Sequence, residues 1–506
     1  MRNGSAGEPG QIVQALGVPE EVFTSKKNRG WEVALGMVVS VVILAPCFWH
    51  RQIQAGDLGS HVYNAWLAQL VGEGKAPGVY LVGQWKNVLF DWMLLYFAKT
   101  FGFAVAEKIA VSVCVLVFFW GVFTVASIEA HQRPWYLLPG LAMLAYGYVF
   151  HMGFMNFYLS VGLGCFGLAA LWNGSKRGIV FAVLLTPITL LAHPLGFLWL
   201  VLVGVYRLLW PRMNGWMEWL PPVAAIGIGL LVRLVLRRHP QWEPDWPVPP
   251  FFQWNGADQL FVFRPETIYV SIAMVVFVGM ASLLDLVSWK KETLEWKDRR
   301  LFLEFYVVAF CLTSLLPDNL RPDPNAGWIG LLVSRLTMLS AIFAFCWIAT
   351  LRPRVWHAVA MTAAAAVYFT FVYQDTAITA RMEENAEKIT RELPPGTRVI
   401  TTIFEPPEYR MVALHVVERA CIGHCFLYSN YEPATKQFRV RVSEGSPVAV
   451  ASTDDSEDMQ FGSYEVQDED LPLKEIYQCD ASDLTKLCVR DLQAGEKNGR
   501  LGYRPQ

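Results

Sequence analysis

The chain has 506 residues, of which 54% are hydrophobic and 17% are charged. Soluble globular proteins carry about 25% charged residues. Here the deficit is concentrated in long apolar segments, which excludes an ordinary soluble protein and predicts an integral membrane protein. The formal net charge is −2, so the sequence offers no strongly basic surface and predicts no nucleic-acid partner.

The chain begins with a polar segment, residues 1–30, which carries Lys26, Lys27 and Arg29 directly before the first apolar segment. That apolar segment is longer than the hydrophobic part of a signal peptide and no small-residue cleavage site follows it, so we expect a retained span. Hydropathy then predicts a polytopic α-helical membrane protein with about eleven transmembrane helices. They are expected at residues 31–50, 105–127, 135–151, 154–172, 178–193, 195–210, 216–236, 266–287, 301–317, 329–350 and 355–373.

The orientation of these spans follows from the Lys and Arg content of the loops. With a cytoplasmic N-terminal tail, the inner loops are rich in basic residues, as the positive-inside rule requires, and the pair Arg237-Arg238 is the exception. The outer loop 51–104 and residues 375–506 are then extracytoplasmic. The apolar segment 88–98 is short and contains an aspartate, so it is predicted to be an interfacial helix. We expect an integral protein of a bacterial inner membrane or a plasma membrane.

The first outer loop opens with the stretch Ala55 to Trp66, which places a carboxylate and an imidazole together at the membrane surface. Asp57 is predicted to cap a helix that begins at Leu58, and His61 lies one turn later on the same helix face. Asn64 follows in the same helix. This grouping is typical of a reactive site, and Asp57 is the candidate catalytic residue.

Further polar side chains are predicted at the same outer face. The tight turn between the third and fourth spans carries His151 and Asn156, and His193 ends the fifth span. Arg335 lies within an apolar run, where an arginine is costly and marks a functional site by default. Its planar fork suits a phosphate group, and a structural ion pair is the alternative. The candidate substrate-binding residues are His61, Asn64, His151, Asn156, His193, Arg264 and Arg335.

A metal site is a second interpretation of these residues. Asp57, His61 and one further histidine would supply ligands for a divalent metal. They come from separate segments, however, and have no compact ligand spacing. The sequence therefore establishes no cofactor and leaves a divalent metal as the weaker alternative.

Residues 375–506 differ in composition from the preceding chain, because they are more acidic and contain no apolar run long enough to span a membrane. Their pattern predicts a small extracytoplasmic α/β domain that begins with an amphipathic helix, Ala377 to Leu393. Strands are predicted at Arg398 to Phe404, Phe426 to Tyr428 and Phe438 to Val442.

This C-terminal part also holds several of the nine cysteines. Because extracytoplasmic compartments favour oxidation, Cys479 and Cys488, which are separated by a short loop, are predicted to form a disulfide bond. Cys421 and Cys425 are favoured as a second pair, and a metal site with His415 is the alternative. The other cysteines lie in apolar spans and are predicted to be packing residues.

The sequence as a whole resembles the GT-C superfamily of integral-membrane glycosyltransferases, which use polyprenyl-phosphate sugars. The resemblance rests on a first span followed by an outer loop with an early acidic residue (Gly56-Asp57), a second surface helix ending at Gly102, and a C-terminal domain that opens with Leu-Pro-Pro-Gly-Thr-Arg-Val at 393–399. It covers most of the chain and implies that Asp57 is a catalytic base, or helps to position a metal or the acceptor. The family often has a second acidic residue on a later outer loop, whereas the turn at 151–154 has none.

The resemblance implies transfer of a sugar from a polyprenyl-phosphate donor to a hydroxyl of a glycan, lipid or protein acceptor at the outer face of the membrane. Asp57 would remove the acceptor proton, and Arg335 or Arg264 would stabilise the charge of the leaving phosphate. Since there is one candidate carboxylate and no obvious second nucleophile, direct displacement with inversion is expected.

Two other functions fit the same sequence. One is a non-enzymatic transporter or lipid-binding subunit whose outer domain recruits a partner. Whether Asp57 opens into a cavity continuous with the lipid distinguishes it from an enzyme. The other is a transferase of a different lipid-linked group, such as phosphoethanolamine or an acyl chain. That reaction would need a nucleophilic Ser or Thr at a metal site, which the sequence does not identify.

Overall fold

The structure is a computed structural model that is 65% helical, with a small region of β-sheet in the C-terminal part. This confirms the predicted helical architecture with a sheet region in the C-terminal part. The residues that the structure describes are 26–130, 133–246, 255–287, 296–321, 329–404, 413, 415–435, 437–480 and 482–499.

Helices dominate the chain as far as residue 392. They are α1 (Lys26–Ile43), α2 (Leu58–Gly72), α3 (Leu89–Phe101), α4 (Phe103–Ala126), α5 (Leu138–Ala145), α6 (Tyr148–His151), α7 (Met155–Leu171), α8 (Lys176–Ala192), α9 (Pro194–Leu209), α10 (Leu220–Arg238), α11 (Thr267–Val287), α12 (Trp296–Leu315), α13 (Leu332–Ala349) and α14 (Val355–Glu392). Strand β1 (Val79–Leu81) lies between α2 and α3.

The C-terminal part mixes short strands and short helices. They are β2 (Thr397–Thr402), α15 (Glu418–Cys421), β3 (Cys425–Leu427), α16 (Tyr431–Ala434), β4 (Val440–Val442), α17 (Thr453–Phe461), β5 (Lys474–Gln478) and β6 (Leu487–Asp491). The predicted strands at 398–404, 426–428 and 438–442 therefore correspond to β2, β3 and β4, whose bounds differ from the predicted ones by at most two residues. The sequence analysis does not anticipate β1, β5 or β6.

Seven helical segments among the described residues are long and apolar enough to cross a membrane. About 20 apolar residues at 1.5 Å per residue match the thickness of the hydrocarbon core. The seven are Gly30–Cys47, Phe103–Ala126, Pro194–Arg212, Gly215–Arg238, Thr267–Val287, Leu332–Ala349 and Val355–Glu392. Each overlaps a predicted span, which supports the membrane character of the chain.

The remaining predicted spans have shorter or more polar helices in the described residues. Segment 135–151 is divided into α5 and α6 near Gly147. That glycine packs so closely that a Cβ atom on it would lie 2.7 Å from the Gln259 carbonyl oxygen. Helices α7 and α8 have 17 residues each, and α8 contains Pro187. Helix α12 begins with a charged turn. The count of eleven spans therefore stays a prediction.

Helix α14 differs from the sequence analysis, which expects a span at 355–373 and then a separate helix. It runs without a break from Val355 to Glu392 and has 38 residues. At 1.5 Å per residue its length is about 57 Å, almost twice the thickness of the hydrocarbon core. One continuous helix therefore carries the chain from the apolar part directly into the C-terminal part.

The C-terminal part contains a four-stranded sheet in the order β3-β2-β5-β6. Strand β2 runs parallel to β3 and β5, whereas β5 and β6 are antiparallel. Strand β4 lies outside this sheet and pairs with β1 of the first outer loop, with Leu81 opposite Val440. The first outer loop and the C-terminal part therefore share a two-stranded sheet.

A hydrophobic core joins the same two regions. It contains Tyr63 of α2, Met382 of α14 and Val399 of β2, while a larger core lies among the membrane helices. The Tyr63 hydroxyl also accepts a hydrogen bond of 2.9 Å from the Leu427 N–H. Because α2 is packed into the C-terminal part in this way, the position of Asp57 at its start is fixed by both regions.

Candidate functional site

The backbone at Asp57 is held by the turn that joins α6 to α7. The N–H groups of Gly56 and Asp57 donate to the carbonyl oxygens of His151 and Met152, at 2.7 and 3.0 Å. Gly153 has a φ of +80°, and a Cβ atom on it would lie 2.5 Å from the Asp57 nitrogen. Only glycine permits both the backbone conformation and the close approach. The start of α2 is thereby anchored to the membrane helices.

The side chain of Asp57 does not make the predicted cap. Asp57 stands at the N-cap position directly before Leu58, but its carboxylate forms no capping hydrogen bond. Instead, Asp57 Oδ1 lies 3.4 Å from His415 Nε2, and the residue lines a large cavity. Because the Asp57 carboxylate is not bound to the N–H groups at the start of α2, it can interact with a ligand in the cavity.

His415 is buried between two carboxylates. Its Nδ1 atom lies 2.7 Å from Glu418 Oε1, and its Nε2 atom faces Asp57. The His415 backbone packs directly on α2, where a Cβ atom on Gly59 would lie 2.4 Å from the His415 carbonyl oxygen. Burial alone would lower the pKa of His415, but the charges of Glu418 and Asp57 outweigh it and raise the pKa well above its usual value.

His61 is paired with Asp91 of α3. Its Nδ1 atom lies 2.9 Å from Asp91 Oδ1, and the other Asp91 oxygen accepts a 3.2 Å hydrogen bond from Asn156. Asn156 also accepts a hydrogen bond of 2.9 Å from the Phe90 N–H, which ties α7 to α3. Burial opposes a charge on His61, but the Asp91 carboxylate outweighs it and raises the pKa to about 9. His61 is therefore a cation at neutral pH.

Four of the predicted site residues, Asp57, His61, His193 and Arg335, line one cavity of about 1350 Å³. They come from the start of α2, the junction of α8 with α9, and α13, so the fold brings together residues that are far apart in sequence. Small-molecule sites usually have volumes of about 300–1,000 Å³. This cavity therefore has room for a ligand larger than a typical metabolite.

The cavity has walls of two kinds. The side formed by the membrane helices and their connections is apolar and contains Phe154, Phe157, Leu190, Leu195, Leu331 and Leu332. The side formed by the segment after β1 and by the C-terminal part is more polar: besides Val82, Phe438 and Phe461 it contains Gln84, Lys86, Gln437, Arg441, Glu457 and Gln460. Trp85, which is 76% exposed, adds aromatic surface to the polar side. A ligand with an apolar chain and a polar head group matches these walls.

Arg335 is a cation on the apolar side of this cavity. Its guanidinium carbon lies 4.1 Å from the centre of the Phe154 ring, and Nη1 donates to the Gly330 carbonyl at 3.1 Å. Its Nε atom is buried without a hydrogen-bond partner. No carboxylate of the described residues lies within the 4.0 Å that defines an ion pair with it. The guanidinium therefore keeps donors for an anionic ligand.

His151 and Asn64 are held in contacts with other parts of the protein instead of lining this cavity. His151 is buried, and its Nδ1 atom lies 3.2 Å from the Gln54 carbonyl oxygen. The Asn64 side-chain oxygen Oδ1 accepts a 2.9 Å hydrogen bond from the Asn430 side-chain amide, which joins α2 to the segment before α16. Asn156, described above, orients Asp91. These three residues support the site rather than facing the large cavity.

Arg264 forms a bidentate ion pair with Asp375 of α14. Its Nε and Nη2 atoms donate to the two Asp375 carboxylate oxygens, with distances of 2.9 Å to Oδ2 and 2.6 Å to Oδ1. The guanidinium also lies 4.9 Å from the centre of the Phe371 ring. Arg264 is not among the residues that line the cavity. This ion pair links α14 to the segment before α11.

The cysteines of the C-terminal part form two disulfide bonds, Cys421–Cys425 and Cys479–Cys488. In this arrangement neither Cys421 nor Cys425 is a free thiol that would join His415 at a metal. Across the described ranges, no group of three or more His, Cys, Asp or Glu residues is arranged to hold a metal ion.

Three cavity residues, His415, Tyr431 and Arg441, are not identified as site residues by the sequence analysis. His415 enters it only as an alternative metal ligand, and the spacing of His415 and Glu418 is the one local signal for the observed pair. Tyr431 and Arg441 line the cavity from α16 and β4. Local sequence gives no sign of this, because the approach of these segments to α2 is a property of the tertiary structure.

No family model, curated protein or solved structure matches this chain. The function of the site must therefore be argued from its own residues. The cavity is lined by two carboxylates, Asp57 and Glu457, by His61 and His415, which are held by acidic partners, and by Arg335. These groups suit a substrate that carries both a negative charge and a group from which a proton must be removed.

Proposed function

We propose that the chain is a membrane glycosyltransferase of the GT-C type, which transfers a sugar from a polyprenyl-phosphate donor to an acceptor hydroxyl at the outer face of the membrane. The observation that carries this proposal is the shared cavity, which is lined by both the Asp57 carboxylate and the Arg335 guanidinium. One group accepts a proton and the other holds a phosphate, and these are the two tasks of such a transfer.

In this reaction Asp57 acts as the general base. The acceptor oxygen forms a bond to the anomeric carbon while the bond from that carbon to the phosphate oxygen breaks. The acceptor proton moves to Asp57, and the bonding electron pair leaves with the phosphate. Because His415 faces Oδ1, the second carboxylate oxygen of Asp57 receives the proton. A single displacement of this kind inverts the anomeric configuration.

Arg335 stabilises the leaving phosphate. Negative charge grows on the phosphate as the glycosidic bond breaks, and a cation that is already oriented in apolar surroundings lowers the barrier. The Phe154 ring lies against the guanidinium and supports this orientation. His61 contributes a second positive charge to the same cavity. Phe157 and Leu190 on the apolar wall accommodate the isoprenoid chain.

The proposal includes the topology of about eleven spans, with a cytoplasmic N-terminal tail and an extracytoplasmic C-terminal part in a bacterial inner or plasma membrane. The basic residues of the expected inner loops support it. The two disulfide bonds of the C-terminal part support it as well, because disulfides persist in oxidising compartments. In this orientation the polar wall of the cavity lies at the outer face.

The test is the release of free sugar from radiolabelled polyprenyl-phosphate glucose by the purified protein in lipid nanodiscs, since water replaces the unidentified acceptor. A panel of polyprenyl-phosphate hexoses and pentoses covers the unknown sugar. We expect release by the wild type and not by Asp57→Asn, with equal binding of undecaprenyl phosphate by native mass spectrometry. Asp491→Asn is the matched control, because the Asp491 side chain is 80% exposed on β6.

A lipid-binding or transport protein would share the apolar wall and Arg335, but it would have no need of Asp57 as a base. Binding of undecaprenyl phosphate without release of any sugar in the panel, in both the wild type and Asp57→Asn, would therefore contradict the enzymatic proposal and favour that alternative.

A further inference from the structure

We propose that His415 is a positioning residue for Asp57: as an imidazolium fixed by Glu418, it holds one oxygen of the Asp57 carboxylate and leaves the other oxygen for the acceptor hydroxyl. This inference rests on the proposed role of Asp57 as the base. It adds a residue from the C-terminal part to a site whose base lies at the start of α2.

The protonation of His415 follows from the positions of its two ring nitrogens. Nδ1 lies 2.7 Å from Glu418 Oε1, and Nε2 lies 3.4 Å from Asp57 Oδ1. A neutral imidazole carries one N–H and one lone pair, so one of its nitrogens would direct a lone pair at a carboxylate. The imidazolium carries an N–H on each nitrogen and attracts both carboxylates. The contact with Glu418 is a short charge-assisted hydrogen bond, whereas the longer contact with Asp57 is mainly electrostatic.

The surroundings keep His415 in this place. Its side chain is 6% exposed and that of Glu418 is 2% exposed, so solvent screens their pairing poorly. The ring of Tyr431 lies 5.4 Å from the imidazole, centre to centre. His415 also lines a small pocket together with His151 and Arg419.

These neighbours also decide the charge state of His415. Asp57 and Glu418 favour the imidazolium, whereas burial and the Arg419 cation disfavour it. The pKa of His415 is raised because the two carboxylates outweigh burial. His151 is not a competing cation, since its Nδ1 atom faces the Gln54 carbonyl and no carboxylate is paired with it among the described residues. The positions of the ring nitrogens and the neighbouring charges therefore both favour the imidazolium form of His415.

The arrangement orients Asp57 as a base. The imidazolium attracts Oδ1, which restricts rotation of the carboxylate and directs Oδ2 toward the cavity. When the acceptor proton moves to Oδ2, Asp57 becomes neutral, while Glu418 still balances the imidazolium. No proton moves to or from His415, so it acts through Asp57 and does not touch the reacting atoms.

The first test measures the charge state of His415 and does not depend on enzymatic activity. Magic-angle-spinning ¹⁵N NMR of histidine-labelled protein in lipid bilayers resolves protonated and unprotonated ring nitrogens. We expect His415, assigned by the loss of its signals in His415→Gln, to show two protonated nitrogens at pH 8, where an ordinary histidine is neutral. Glu418→Gln should bring its titration down toward neutral pH. An unprotonated ring nitrogen on His415 at pH 7 would overturn the inference.

The second test measures kcat and KM for sugar release from the labelled donor by His415→Gln. We expect kcat to fall about tenfold, because the carboxylate is less well oriented. KM for the donor should stay nearly unchanged, because His415 does not contact the donor in this scheme.

A merely structural role would lower the stability of His415→Gln and leave kcat of the folded protein unchanged, and that outcome would overturn the inference. His424→Gln is the matched control, because His424 lies in the same C-terminal segment and does not line the cavity. If the wild type releases no sugar at any pH, the proposed function fails, and the NMR result still decides whether His415 is a cation between two carboxylates.

Discussion

Two charged clusters lie at the junction of the first outer loop with the C-terminal part, and they differ in whether their arginine is paired with carboxylates. In the first cluster, Arg419 is buried between Glu107 and Glu383, with hydrogen bonds of 2.8 and 2.9 Å to their carboxylates, and it also donates to the Ile53 carbonyl at 2.9 Å. In the second, Arg335 lines the cavity and no carboxylate of the described residues is within ion-pair distance of it. Arg419 therefore has carboxylate partners within the protein, whereas Arg335 has none within ion-pair distance among the described residues.

This contrast shows how a charged residue that stabilises the fold can be told from one that binds a ligand. A buried charge is costly, and a protein that uses it to join segments supplies the partner itself. Arg419 joins α15 to α4, to α14 and to the first outer loop. Arg264, paired with Asp375, belongs to the same class, although the sequence presents it beside Arg335 as a phosphate ligand. Pairing within the protein thus separates residues that hold the fold from residues that are left for a ligand.

The largest expected effect is at the base. Asp57→Asn should lower the rate of sugar release by roughly 100- to 10,000-fold, which is the usual contribution of general-base catalysis. The Asp57 side chain does not cap α2, so any loss of stability in Asp57→Ala should come from the lost pairing with His415 and should be absent when His415→Gln is already in place. Thermal unfolding of the variants checks this second part. A loss of about 1 kcal/mol or more from Asp57→Ala in the His415→Gln background would restore the capping role, and an unchanged rate in Asp57→Asn would remove the catalytic one.

Disruption of the cluster around Arg419 should lower the stability of the protein. Arg419→Met removes one partner of a buried ionic network and leaves two buried carboxylates, which costs about 3–5 kcal/mol. Thermal unfolding in detergent should show this as a large fall in Tm. Arg391→Met is the matched control: Arg391 also pairs with a glutamate of α14, Glu387, but its side chain is 57% exposed. Exposed pairs contribute about 0–1 kcal/mol, so similar losses in the two variants would contradict the distinction between them.

Substitution of Arg335 should weaken lipid binding. Arg335→Gln should weaken the binding of undecaprenyl phosphate roughly 10- to 100-fold, because a charged hydrogen-bonding partner contributes about 1.5–3 kcal/mol. Arg335→Lys keeps the charge but loses the planar fork, so we expect an intermediate affinity. Native mass spectrometry at several lipid concentrations measures both.

Arg264→Gln provides the contrast to Arg335→Gln. It should lower Tm and leave the lipid affinity of the folded protein unchanged, because Arg264 is paired with Asp375 and does not line the cavity. If Arg264→Gln and Arg335→Gln weakened lipid binding equally, pairing within the protein would no longer separate structural from ligand-binding arginines.

The smallest expected effect is a pH dependence of stability at His61. Its folded-state pKa of about 9 lies above the ordinary value of 6.5. The stability that it contributes through Asp91 is therefore fully present below pH 6.5 and is lost as the pH rises through 9. We expect a loss on the order of 1–2 kcal/mol between pH 7 and pH 10, measured by chemical denaturation. His61→Asn should be less stable at pH 7 and should lack this part of the pH dependence, whereas His424→Asn should keep it.

The sequence by itself determines the features that depend on local composition. The long apolar segments predict a membrane protein, and each of the seven candidate spans overlaps a predicted one. The helix that begins at Leu58, the strands β2 and β3 and the pairing of Cys479 with Cys488 are likewise suggested by neighbouring residues. The continuity of α14 was also accessible, since residues 355–392 contain neither Gly nor Pro. The change in composition near residue 374 lies within this helix.

Only the tertiary structure decides which of the polar residues form the site. His415 reaches Asp57 because β1 pairs with β4 and α2 packs into the C-terminal core, and neither contact has a local pattern. The same holds for the two arginines: Arg264 meets Asp375, whereas Arg335 meets an open cavity. The physical reason is that the cost of a buried charge depends on its partner, and the partner comes from a segment that is distant in sequence.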